Sequence, residues 1–286
     1  MIRMNSEFQL PLVSIGIPLF NDAAFVKRTV DSALAQSYRN IEIIISDNCS
    51  SDETYEVLMS TYSGVTNVKL FRQPKNIGPN ANFEFLMKQA HGEFFMWLGG
   101  HDFIHSDYVA LAVEVHQSNH LSSLVYFQHS LMNAMREELK NNPLKDISSD
   151  HPNPNYRALK IFNNLDNCTH IHGLWRTKFR HSIKFSYNLG PDHLVLFILG
   201  LKGTVHEINK KYYYRIVNRE NESYDEALKR YATYGYKGDV NDVWFTILKV
   251  HLNYSLRNFK WSLFMQLARS QRIRFYRYVR GFYFLR

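Results

Sequence analysis

Apolar positions in the first hundred residues fall into two alternating patterns. Residues 13–17 form a short β-branched run, and residues 25–34 then set Val26, Thr29, Val30, Ala33 and Leu34 at helical spacing. A second continuous run at 41–46 is followed by a helix candidate at 54–59. A third run at 68–71 precedes a segment, 80–90, with Phe83, Leu86, Met87 and Ala90 on one helical face, and 93–98 is a fourth run. Short apolar strands separated by helices predict an α/β fold: a doubly wound, mostly parallel sheet flanked by helices and joined by right-handed crossovers. In such sheets ligands lie beyond the carboxyl ends of the strands. The positions to inspect are therefore 18–22, 47–52, 73–80 and 99–102.

The second half is less regular. A strand candidate at 121–127 leads into a polar stretch, 136–155, with three prolines, which reads as a long surface loop. Helices are expected at 156–165 and 192–201, strands at 205–208 and 212–216, and helical segments from there to the end.

Composition narrows the class. With 286 residues, 45% hydrophobic and 21% charged, the chain can build a sizeable core, and neither disorder nor a fibrous architecture is expected. Its two cysteines, Cys49 and Cys168, show no disulfide framework and no metal-site spacing, which suits a reducing cytoplasm. The first ten residues lack the pattern of a secretory signal. No window approaches ~18 consecutive apolar residues, so a spanning helix is not expected.

The net charge of +8 is concentrated at one end. Residues 269–286 carry six arginines and no acid, interleaved with aromatic rings. That pattern suits a segment lying on an anionic membrane surface, or a plain terminal helix. No nucleic-acid partner is expected, because no recognition motif accompanies the basic end. The expected location is the cytoplasm, with peripheral attachment to the inner face of the plasma membrane.

Several strand-end residues carry candidate chemistry. Pro18 ends the first strand's ladder and aims Phe20 over the strand end, where a ring can stack on a base or simply close the core. Asp47 follows the second strand, where a carboxylate can accept from a base N–H or a ribose hydroxyl. Ser50, Ser51 and Asp52 read as caps of the next helix.

The ordered runs "PLFN", "ALAQSYRNIEIIISDNCSSDET", "NIGPNANF" and "GEFFMWLGGHDF" resemble the donor half of family-2 glycosyltransferases over roughly 13–107. The resemblance implies a GT-A domain at 1–220, with a donor half near 11–128 and an acceptor half near 129–220. Residues 221–286 are left as a helical, basic and aromatic extension. It further implies an inverting glycosyltransferase using a UDP- or dTDP-sugar, with Asp47 holding the base and Pro18, Phe20 and Asp22 lining the same pocket. Gly78 allows close backbone approach beside the donor site, with Asn76, and Asn80 or Asn82 would contact ribose or sugar hydroxyls, unless this stretch is only a helix-capping turn.

Where the family carries two or three acids that bind a divalent cation, this chain has Gly99-Gly100-His101-Asp102. Asp102 and His101 are then the candidate ligands for Mn²⁺ or Mg²⁺, imidazole favouring Mn²⁺. Alternatively His101 hydrogen-bonds a phosphate or the ribose directly. Asp192, just after Pro191 at a helix start, suits the helix dipole, and the resemblance makes it the general base.

His172, Trp175 and Arg176 either line the acceptor pocket or pack beneath it. The family expectation for the acceptor is a saccharide or lipid-linked saccharide of a bacterial surface polysaccharide. A nucleotide-sugar-binding protein without catalysis is the competing reading. A nucleotidyltransferase is disfavoured because 19–24 contains no glycine.

Overall fold

The computed structural model describes residues 10–133, 135–140, 143–165, 168–183, 185 and 191–217. The extension expected at 221–286, with its basic end, lies outside them. Strands β1 (Val13–Leu19), β2 (Ile41–Asp47), β3 (Val68–Arg72) and β4 (Phe94–Trp97) alternate with helices α1 (Val26–Leu34), α2 (Thr54–Tyr62) and α3 (Pro79–Gln89). All four strands are parallel, with Val13 opposite both Ile41 and Phe94. Every residue of β2 is buried, as befits a strand covered on both faces. Of its two carboxylates, that of Glu42 accepts from Ser14 Oγ, the His91 amide and Lys69 Nζ, so its burial leaves no unpaired charge.

The second half adds β5 (Phe103–Ile104), α4 (Tyr108–Ser118), β6 (Ser122–Met132), β7 (Glu138–Leu139) and α5 (Pro154–Asn164). It continues with a 3-10 turn at Thr169–His172, β8 (Leu174–Arg176), a second 3-10 turn at Thr177–Ser182, α6 (Pro191–Lys202) and β9 (Thr204–Ile216). Among the described residues nine strands form one sheet in the order β3-β2-β1-β4-β8-β6-β9-β5, with β7 on β6. β8 runs antiparallel to both β4 and β6, and β6 is parallel to β9. β1 to β4, β6 and β9 therefore point the same way, and the sheet is mostly parallel, as expected. No helix of the described residues is long and apolar enough to cross a membrane.

Two expectations about the elements change. The strands expected at 205–208 and 212–216 are one strand, β9, in which Asn209 and Lys210 face solvent at a bulge opposite Phe127 and Gln128. The stretch 136–155 is not free surface loop, because Leu144 and Ile147 are buried and their amides donate to Gln128 Oε1 and Tyr126 OH on β6. The division placed near 128 falls inside β6.

Trp175 and Arg176 are core, not acceptor lining. Trp175 is fully buried against Phe95 and Trp97, at centroid distances of 5.3 and 5.5 Å. Arg176 pairs with Glu93 at 2.9 Å and donates to the Ser122 and His116 carbonyls, so its charge is matched within the β4-β8-β6 seam.

Candidate functional site

The loops after β1 and β2 are laced together at the carboxyl edge of the sheet. Asn21 adopts a left-handed backbone, φ 57°, which asparagine tolerates better than most residues. Its side chain accepts from the Ser51 amide and its own amide donates to Ser50 Oγ, both at 2.9 Å. The amides of Asp22 and Ala23 donate to Thr54 Oγ1 and Asp52 Oδ2. Asp22 Oδ2 accepts from the Phe20 amide at 3.0 Å, which fixes Phe20, 37% exposed, at the strand end. Pro18 is half-buried beside it.

Asp47 stands where expected but has no exposed atom surface. Its carboxylate accepts from the hydroxyl and amide of Ser50, with Arg72 Nε 3.4 Å away. Direct contact with a base needs an open oxygen, so in this arrangement Asp47 anchors the turn and Arg72 rather than meeting a ligand. Asn48 reaches across to the loop after β3, donating to Asn76 Oδ1 and accepting from the Ile77 amide, both at 2.9 Å. Asn76 also accepts from the Gly78 amide. Gly78, at φ 83°, holds a backbone conformation that a residue with a side chain rarely adopts. Asn80 is half-buried in the first turn of α3.

At the end of β4 the two glycines make a close approach possible. A Cβ on Gly99 would lie 2.5 Å from Asp102 Oδ2, and one on Gly100 would lie 2.6 Å from Asp22 Oδ2 and 2.9 Å from the Pro18 carbonyl. Their absence of side chains lets His101 enter between two acids. Its Nδ1 is 3.5 Å from Asp22 Oδ1 and its Nε2 3.8 Å from Asp102 Oδ1. Burial opposes charge on the ring, but the Asp22 hydrogen bond and the Asp102 carboxylate outweigh it and raise the His101 pKa, with Arg215 pulling the other way. Arg28 adds a cation, donating to the His101 carbonyl at 3.3 Å and lying over Phe103 at 4.7 Å.

These residues do not fit a divalent cation held by His101 and Asp102. Asp102 is 3% exposed, and its oxygens accept from Tyr213 OH at 2.6 Å and from the Ile216 amide at 2.9 Å. A hard cation needs accessible oxygen ligands, and Asp102 offers no open face. Each nitrogen of His101 is turned toward an acid. The pair is an ion-paired knot at the strand end.

His172 is brought to the same neighbourhood. Its Nδ1 donates to the Trp97 carbonyl at 3.0 Å, and its ring stacks on Tyr213 at 4.8 Å. Burial is the main cause of its lowered pKa, so the ring is neutral. Asp192 belongs to a different group. In the first turn of α6 its Oδ1 accepts from the His193 amide at 2.9 Å and lies 3.3 Å from His193 Nδ1, which is 3.0 Å from Cys168 Sγ. Burial works against its charge, but the His193 and Cys168 contacts prevail and hold the carboxyl below its ordinary range. Sequence reasoning missed Arg28, Arg215 and Tyr213. No motif marks them, and Tyr213 meets Asp102 across 111 positions.

The model of glycosyl transferase family 2 matches residues 14–182, more than half of the chain. An uncharacterised glycosyltransferase of Haemophilus influenzae is 34% identical over 112 residues, 39% of this chain and 45% of that protein. A chondroitin synthase of Escherichia coli is 27% identical over 217 residues, 75% of this chain and 30% of that protein. The chain thus spans less than half the length of these curated relatives. In fold it is similar to S. aureus TarS 1-349 solved in complex with UDP-GlcNAc, with a TM-score of 0.59 at 18% identity, covering 86% of this chain and 73% of that one. From the family model and the strand-end architecture together, the chain belongs to glycosyl transferase family 2 and has a GT-A fold.

Proposed function

We propose that this chain transfers a sugar from a nucleoside diphosphate donor to an acceptor hydroxyl with inversion. The observation that carries the reading is the placement of His101 between Asp22 and Asp102 at the carboxyl edge of the sheet. A UDP- or dTDP-sugar is the donor class, and the UDP-GlcNAc named in the TarS complex supports the first. Phe20, with Asn76, Gly78 and Asn80 opposite, walls the base and ribose, while His101, Arg28 and Arg215 face the diphosphate.

Asp192, ionised at neutral pH, takes the acceptor's hydroxyl proton as its oxygen attacks the anomeric carbon. The bond from that carbon to the β-phosphate oxygen breaks, and its electron pair leaves with the nucleoside diphosphate. His101, with the two arginines, stabilises the charge that grows there. His172 stands on the acceptor side. The acceptor is a saccharide or lipid-linked saccharide of a bacterial surface polysaccharide. The basic segment 269–286 holds the protein to the inner membrane face.

The same departure, glycines and histidine in place of acids, also supports a second reading: a nucleotide-sugar-binding protein that does not turn over. Product analysis on a panel of nucleotide sugars, with and without chelator, separates the two. Transfer that survives chelation and is lost in Asp192→Asn while UDP still binds is the expected result. Turnover retained in that variant removes Asp192 as base, and donor binding without product in any condition favours the second reading.

A further inference from the structure

Outside the strand-end site, the described residues hold one group of three metal-capable side chains: Cys168, Asp192 and His193. They come from two elements, Cys168 capping the 3-10 turn before β8 and the other two opening α6. Sγ to Nδ1 is 3.0 Å, Nδ1 to Oδ1 is 3.3 Å, and one donor atom from each residue lies within 4.8 Å of the others. Around a tetrahedral zinc ion, with bonds of about 2.3 Å to sulfur and about 2.0–2.1 Å to nitrogen and oxygen, ligand atoms stand about 3.3–3.6 Å apart. The imidazole and carboxylate already stand at that spacing, the thiol needs to move back by about half an ångström from the ring, and sulfur and carboxylate lie within 4.8 Å of each other. None of the three is fully buried, so an ion can enter and keep a fourth position for water.

We infer that Cys168, Asp192 and His193 form a binding site for a thiolate-seeking divalent ion, zinc foremost, separate from the donor diphosphate. The donor set decides the metal class, since a thiolate beside an imidazole suits zinc and cobalt and disfavours Mg²⁺ or Mn²⁺. Occupancy has a functional consequence that rests on the role proposed above for Asp192: a carboxylate ligated to zinc is no longer free to take the acceptor proton. The ion is then an inhibitor of transfer, and its removal restores the base.

The experiment uses the full chain, reduced and stripped with chelator, and Co²⁺ as the spectroscopic probe. One Co²⁺ per chain is expected, with a thiolate-to-metal charge-transfer band and the intense visible bands of a tetrahedral site, bleached by Zn²⁺. Cys168→Ser should abolish the charge-transfer band. His193→Gln should weaken binding about 100-fold, at the upper end of what disturbing even outer-shell partners costs. UDP-induced thermal shift verifies that each variant is folded. Wild-type protein gives a further readout: zinc should slow alkylation of Cys168 and leave Cys49 unaffected.

Absence of a thiolate band, a band unchanged in Cys168→Ser, or equal alkylation of both cysteines overturns the site. In the transfer assay, zinc should inhibit the wild type and lose that effect in Cys168→Ser. A Co²⁺ band accompanied by full transfer upholds the metal site and removes Asp192 as the base.

Discussion

The Tyr213 hydroxyl donates to Asp102 Oδ2 at 2.6 Å and joins the end of β9 to the turn after β4. Both groups are buried, so the bond is a tie between two halves of the sheet as well as a satisfied charge. Tyr213→Phe leaves the carboxylate with one donor fewer. Hydrogen bonds to charged groups contribute about 1.5–3 kcal/mol, and a loss of about 2 kcal/mol in unfolding free energy is expected. Denaturant titration of the pair of proteins checks it; equal midpoints would show the tie to be dispensable.

Reintroducing an acid at the first glycine should not create a cation site. With a Cβ at position 99 only 2.5 Å from Asp102 Oδ2, Gly99→Asp must displace that carboxylate. A stability loss of about 1–3 kcal/mol is expected, as for other overpacked sites. UDP binding should gain no Mn²⁺ dependence, and a variant at least as stable as the wild type whose nucleotide affinity rises with Mn²⁺ would contradict the steric account.

Removing the His101 charge should weaken nucleotide diphosphate binding. His101→Gln keeps a polar side chain but no cation, and a loss of about tenfold, or ~1.4 kcal/mol, is expected by calorimetry with UDP. In the wild type the ring is charged below its raised pKa, so affinity should fall as pH rises through that value. The glutamine variant should lack this trend; a pH profile identical to wild type would assign the charge elsewhere.

His116 predicts acid sensitivity of the fold itself. Its Nε2 donates to the Leu174 carbonyl, its ring stacks on Phe94 at 4.7 Å, and burial lowers its pKa to about 3. An unfolded histidine titrates near ~6.5, so the folded protein keeps full stability above that pH. Stability then declines as pH falls from there toward the folded value, because the unfolded chain binds the proton first. Between pH 7 and pH 5 the unfolding free energy should drop by about 2 kcal/mol from this group. His116→Gln should flatten the dependence, and an unchanged slope would point to other groups such as His129, whose pKa is lowered to about 4.

The strand ends were legible because β1 to β4 are continuous apolar runs, and a parallel sheet fixes which end of each run holds the ligand edge. Pro18, Phe20, Asp22, His101 and Asp102 meet there as the spacing predicts. Accessibility was not legible. Nothing near Asp47 in sequence tells that Ser50 and Arg72 close over its carboxylate, and nothing near Asp102 announces Tyr213. β8 escaped notice because three residues, Leu-Trp-Arg, give no periodicity, and its buried arginine looks like a surface group until Glu93 and two carbonyls surround it. α4 was missed for a related reason: apolar residues on several faces blur its stripe. Cys168 and His193 meet only because the 3-10 turn and α6 converge, a relation that spacing cannot encode.

β8 gives the β1–β4 half of the sheet a neighbour that is translated late. Until Arg176 and Trp175 pair with Phe94 and Phe95, the side of β4 away from β1 has no partner strand. A nascent or truncated chain ending near the middle of β6 therefore presents Phe-Phe-Met-Trp as an open edge, a template for pairing with another copy. The β1–β4 half of the sheet is in this sense not a separable module, and shortened versions of the chain should accumulate as aggregates.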